Sequence, residues 1–224
     1  MSPQLIEAHG HDLAYLIGLA DADLAGIWAG FGGDFQATLA GLIAMLPDLV
    51  GTYGSAATAL GADWYEEARA DAGVSGRFAA IPAALPDVGR TNALAQWAMQ
   101  LPTGSTGPSQ FDPFAAEEKV KGGLQRIIAN ADRDTIIGSS VADPKARGWK
   151  RVGRGQCAFC SMLIARGAVY TESSARFASH DHCQCSAAPA WGGQPEPVNP
   201  YTSTDRHISD ADRARVRAWM AANP

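Results

Sequence analysis

Cys157-Ala158-Phe159-Cys160, answered by His180-Asp181-His182-Cys183-Gln184-Cys185, decides how the C-terminal half of this chain is read. All four cysteines of the 224-residue sequence fall within these two segments. A C-x-x-C turn presents two thiolates to one point, and a second Cys/His cluster about twenty residues on can close the other face of a tetrahedral ion. Six side chains are candidate ligands: Cys157, Cys160, His180, His182, Cys183 and Cys185. At most four can bind one zinc. Cys157 and Cys160 form the firmest pair. Cys183 and Cys185 complete a four-cysteine site, while His180 with Cys183 gives an H-x-x-C alternative. Both later cysteines are expected to take part, with His180 as ligand or as a donor behind them. The expected zinc is structural, replacing the hydrophobic core that a module of about fifty residues barely possesses.

Three other chemistries fit the same residues less well. Disulfides suit an oxidising compartment. No basic segment followed by an apolar run opens the chain, and no uninterrupted apolar stretch approaches the ~20 residues that span a bilayer. The expectation is therefore a protein made and kept in a reducing cytoplasm, unless it leaves inside a larger particle. A Cys/His nucleophile pair, Cys157 or Cys183 with His180 or His182, is disfavoured because the cysteines are bunched as ligands are. A zinc-water hydrolase lacks its H-E-x-x-H, and Glu172 and Asp181 are the only acids close by.

Working outward, Trp149-Lys150-Arg151-Val152 reads as a short strand, Met162-Leu163-Ile164 as a helical turn, and Ala168-Val169-Tyr170 as a second strand. Residues 192–200 are rich in Gly and Pro. Beyond them Ser209 and Asp212 approximate a capping box for a last helix, with Val216, Trp219 and Met220 opposite Arg213, Arg215 and Arg217. Upstream, Asp112 caps a helix that has Pro113 at its first position and Val120, Leu124, Ile127, Ile128 and Ala131 as its core stripe, ending near Ile137. Gly122-Gly123 weaken it by about 1 kcal/mol each and suggest a close neighbour or a bend.

Residues 102–109 hold no apolar side chain to bury and mark the expected boundary. The division is a helical domain over 1–101, a linker over 102–111, and a cysteine-rich α+β module with flanking helices over 112–224. Within the first part, helices are expected over 12–31 and 34–46, with Pro47 kinking the second or opening a third that runs to Gly73. Tyr53, Ala57, Leu60, Trp64 and Ala68 mark the buried face of that third segment. Tyr65 and Arg69, one turn apart, suit either a contact surface or a solvated helix end. A short helix is expected over Thr91–Leu101. The fold class is thus α+β, mainly α.

Charge divides with the halves. Residues 1–112 carry 12 acidic and 3 basic side chains, a balance of −9, and residues 113–224 carry 11 acidic and 15 basic, a balance of +4. The mildly basic half could touch nucleic acid nonspecifically, although solvated helix faces explain the same count.

With these residues in view, the chain resembles the MuF-type minor head, or head morphogenesis, proteins of tailed bacteriophages, especially the variants of actinobacterial phages. The resemblance rests on Trp149-Lys150-Arg151-Val152, Cys157-Ala158-Phe159-Cys160-Ser161-Met162-Leu163, Arg166-Gly167-Ala168-Val169-Tyr170, and the His180–Cys185 segment leading to Ala188-Pro189. Upstream segments 62–69, 123–128 and 133–135 also look alike. Asp181-His182 departs from the proline and asparagine found in many relatives. The family implies a helical N-terminal part and a compact MuF-like C-terminal module. It further implies residence in the virion, inside the capsid near the portal, after assembly in the host cytoplasm. Expected partners are the portal protein and the major capsid protein, with packaged DNA touched nonspecifically and the acidic half as the portal-facing or self-associating part; no membrane is expected. No catalytic residue is expected. Some members are described as capsid maturation proteases, which makes a protease, or an assembly factor lost on maturation, the alternative.

Overall fold

The computed structural model describes residues 1–100, 111–153, 158–165, 167, 170, 177, 183, 185–192, 214 and 218. The first helix, α1, spans Pro3–Ala29. It starts earlier than the sequence reading because Ser2 accepts the backbone N–H of Leu5 and Pro3 occupies the first turn, where a missing N–H costs nothing. Gly30 ends it, and Gly32 and Gly33 turn the chain at φ 64° and 78°.

Asp34 then caps α2, Phe35–Asp71, by accepting from Ala37 N at 2.7 Å. This is one 37-residue helix running through Pro47, not two segments. An interior proline costs about 3 kcal/mol. Leu42, Leu46, Leu49 and Val50 on either side are all buried, and each contributes about 1.5–3 kcal/mol, so packing outweighs the break. The expected face is present: Ala57, Trp64 and Ala68 are buried, with Tyr53 and Leu60 half-buried against the core. By length and composition alone α2 is apolar enough to cross a membrane. In this fold α1, α3 and α4 pack against it.

Helix α3, Val88–Ala98, is capped by Asp87. Helix α4, Pro113–Ala142, is capped by Asp112 and extends past Ile137. Val120, Leu124, Ile128 and Ala131 are buried as expected, and join Leu13, Leu24, Leu42, Leu46 and Leu94 in one cluster. The Gly122-Gly123 pair has its close neighbour, since a Cβ at Gly123 would collide with the Leu94 side chain of α3. The 101–110 segment lies outside the described residues, and the cluster draws on helices from both sides of it.

The sheet is small. β1, Trp149–Val152, pairs antiparallel with β2, Ser186–Pro189, in the register Trp149 to Pro189 and Val152 to Ser186. β1 is the expected strand; of the expected second strand, Ala168 and Val169 lie outside the described residues. Of that segment Tyr170 is described, and it forms an isolated bridge to Trp149, with Trp149 N donating to Tyr170 O at 3.0 Å and Tyr170 N donating back at 3.2 Å. Ser-Ala-Ala-Pro carries no β-branched or aromatic residue and so gives no strand signal. Its alanines are fully buried, which lets the sheet lie close on α4. Trp149 stacks on Tyr170 at 4.5 Å, and a second core of Trp64, Tyr65, Ile136 and Trp149 joins the sheet to α2 and α4. Helix α5, Ala158–Ala165, follows β1. The expected C-terminal helix falls largely outside the described residues, of which Ala214 and Ala218 are helical.

Candidate metal centre

Cys160 comes from α5, and Cys183 and Cys185 from the chain entering β2. Their sulfurs lie within 4.8 Å of one another and all three side chains are buried. Ile164 and Phe177 pack around them. The Cys160 and Cys183 sulfurs are 3.9 Å apart, far beyond the ~2.05 Å of a disulfide, and all three are free thiols. Two sulfurs bound tetrahedrally at about 2.3 Å from one zinc would stand about 3.8 Å apart. The observed separation therefore fits a shared ion, and three soft donors at this spacing suit zinc. Cys157, His180 and His182 lie outside the described residues, so the fourth ligand is not assigned among them.

The electrostatics favour thiolate at Cys183 and a retained proton at Cys185. A hydrogen bond from Cys185, then the positive charge of Arg133, hold the Cys183 thiol well below its ordinary range, and the same shared proton pushes Cys185 up. Arg133, fully buried on α4, donates from Nε to Cys185 O at 2.7 Å and from Nη2 to Cys183 O at 2.6 Å. Its Nη1 donates to Asn130 Oδ1 at 3.0 Å. The Phe177 ring lies 4.7 Å from the Arg133 guanidinium carbon and 3.8 Å from that of Arg151, also buried.

A second polar cluster lies beside this one. Asp132 Oδ2 accepts from Ser186 Oγ at 3.0 Å, and Asp132 Oδ1 stands 3.0 Å from His9 Nε2. The imidazole contact is at ion-pair distance without hydrogen-bond alignment, and His9 is stacked on Trp64 at 4.5 Å. All three residues are buried. The carboxylate sits between serine and histidine, so the serine proton points at Asp132. A Ser–His relay would need the imidazole in that place. At the far end of α2, Tyr65 and Arg69 are buried. Their partner is Asp143, whose Oδ2 accepts from Arg69 Nε at 2.9 Å and Tyr65 OH at 3.2 Å. This replaces the contact surface and the solvated helix end with an internal brace.

Sequence reading passed over His9, Asp132, Arg133 and Ser186. The signal was present in two of them: Asp132 interrupts the i, i+4 ladder Leu124, Ile128, Ile136, and His9 precedes Leu13 at the same spacing. A polar residue at a core position of a helical ladder must find a buried partner.

Among known proteins, the chain is 44% identical over 70 residues to the gene 15 protein of Mycobacterium phage D29, a match covering 29% of this chain. It therefore spans 26% of that relative's length. No solved structure matches. The model of the VG15 protein family matches residues 1–208, nearly the whole sequence, and the chain belongs to that family.

Proposed function

We propose that this chain is a minor capsid, or head morphogenesis, protein of a tailed phage, held inside the head near the portal and acting in head assembly, with DNA packaging or ejection as further steps it serves. The observation that carries the reading is membership of the VG15 family, together with the partial likeness to a mycobacteriophage gene product. The portal protein and major capsid protein are its partners in this reading. Tyr15 and Leu19, exposed one turn apart on the acidic α1, offer an apolar contact of the kind such partners use. Structural zinc on Cys160, Cys183 and Cys185 completes the proposal, with Cys157 or His180 as fourth ligand. One zinc per chain is expected; elemental analysis that finds none in protein purified under reducing conditions would sink it.

Quantitative mass spectrometry of purified mature particles tests the location. A few intact copies per portal support an internal minor head protein. Presence in precursor heads and absence from mature ones would favour the assembly factor or maturation protease instead. The buried His9–Asp132–Ser186 order does not favour a protease, because nothing in it deprotonates the serine toward substrate.

A further inference from the structure

We infer that Arg133 is the positioning residue of the metal centre: it fixes the backbone of Cys183 and Cys185 so that both sulfurs converge, and it supplies the counter-charge of the metal–thiolate group. The inference rests on the zinc reading of the cysteine cluster.

Geometry carries the first half. Two of the three guanidinium nitrogens are spent on the carbonyls of the two cysteine residues, at 2.7 and 2.6 Å, and the third is anchored to Asn130 one turn back on α4. The planar fork thus sets the spacing of residues 183 and 185, as no single-point donor can. Asp132 holds the next residue through Ser186 Oγ, so successive residues of α4 grip the chain on its way into β2. The backbones of Cys183 and Cys185 are thus tied to the helical body at both positions.

Charge carries the second half. Arg133 is fully buried, and among the described residues it has no ion-pair partner. The neighbouring Asp132 turns its oxygens to Ser186 and His9. Burial opposes the Arg133 charge most strongly, while Cys183, Asp132 and Cys185 favour it through space; a buried guanidinium lacking a direct ion pair remains costly. Zinc with three thiolates carries one net negative charge, and with four carries two. Such a centre beside Arg133 would supply a direct counter-charge to it. The same pairing explains why a soft, anionic site is tolerated in an apolar surround.

The test uses the full chain purified under reducing conditions, as wild type, Arg133→Gln and Arg133→Lys. Zinc content comes from elemental analysis, affinity from competition with a chromophoric chelator, and ligand geometry from the thiolate-to-metal band of the cobalt-substituted protein. Circular dichroism establishes that each variant is folded. Loss of a group that orients metal ligands weakens binding on the order of 10- to 100-fold. Arg133→Gln is expected to lie at the upper end of that range. Arg133→Lys keeps the charge but loses the fork, so it should fall nearer the lower end with a shifted cobalt band. Should Arg133→Gln fail to fold, Arg133→Lys decides. A folded variant that melts earlier yet binds zinc as the wild type does would overturn the inference while leaving the metal reading intact. A wild type that binds no zinc would overturn both.

Discussion

Alanine at Gly51 and alanine at Gly61 should change stability in opposite directions, although both replace a glycine inside α2. In helix propensity each gains about 0.8–1 kcal/mol. Gly51 is exposed, with no atom within 4 Å of an added Cβ, so the gain stands alone and Gly51→Ala is expected to stabilise by about 0.8 kcal/mol. Gly61 is buried where α2 meets α4. A Cβ there would lie 2.9 Å from Asp132 O and 3.0 Å from its Oδ1. Backbone cannot swing aside as a flexible side chain can, and overpacking of this kind costs about 1–3 kcal/mol. The net for Gly61→Ala is a destabilisation of about 1 kcal/mol, with α4 pushed outward at the residue that holds His9 and Ser186. Urea denaturation of the two variants measures the difference, and thermal melts should separate them by about 4–7 °C at this chain length. If Gly61→Ala stabilises as much as Gly51→Ala, the close α2–α4 approach is wrong, and so is the placement of Asp132.

Asp143→Ala strands a buried Arg69, which keeps its contacts to the carbonyls of Val74, Ser75 and Gly76; the expected loss is about 3 kcal/mol by urea denaturation, and a loss under 1 kcal/mol would count against the brace. Burial, then the Asp143 carboxylate, raise the Tyr65 phenol above its ordinary value. The folded state thus keeps a proton the unfolded chain loses, so this contribution is whole below about pH 10 and falls by about 1.4 kcal/mol per unit above it. Tyr65→Phe should flatten that decline between pH 9 and 11; parallel curves for the two proteins would contradict the assignment. Chelation of zinc should lower the melting temperature and free all four cysteines to a thiol reagent, and unchanged melting with full thiol reactivity beforehand would show that no ion was holding them.

The sequence by itself determined whatever depends on neighbours along the chain. Asp112 before Pro113 marks the start of α4, the Val120–Ala131 stripe marks its buried face, and Trp149–Val152 marks β1, because caps and apolar periodicity are local properties. The bunched cysteines likewise announced a cluster. Only the tertiary structure decided the rest. Pro47 sits inside one helix because burial around it exceeds its local cost. Ser186–Pro189 is a strand because Trp149–Val152 and α4 cover it, not through any preference of its own. Asp132 stands out as a polar break in a core ladder and Arg133 as an ordinary helix residue, but the partners of both appear only when β2 is laid across them. Then one residue holds Ser186 and the next holds the two cysteine carbonyls, at separations of 50 to 54 positions that no local pattern encodes.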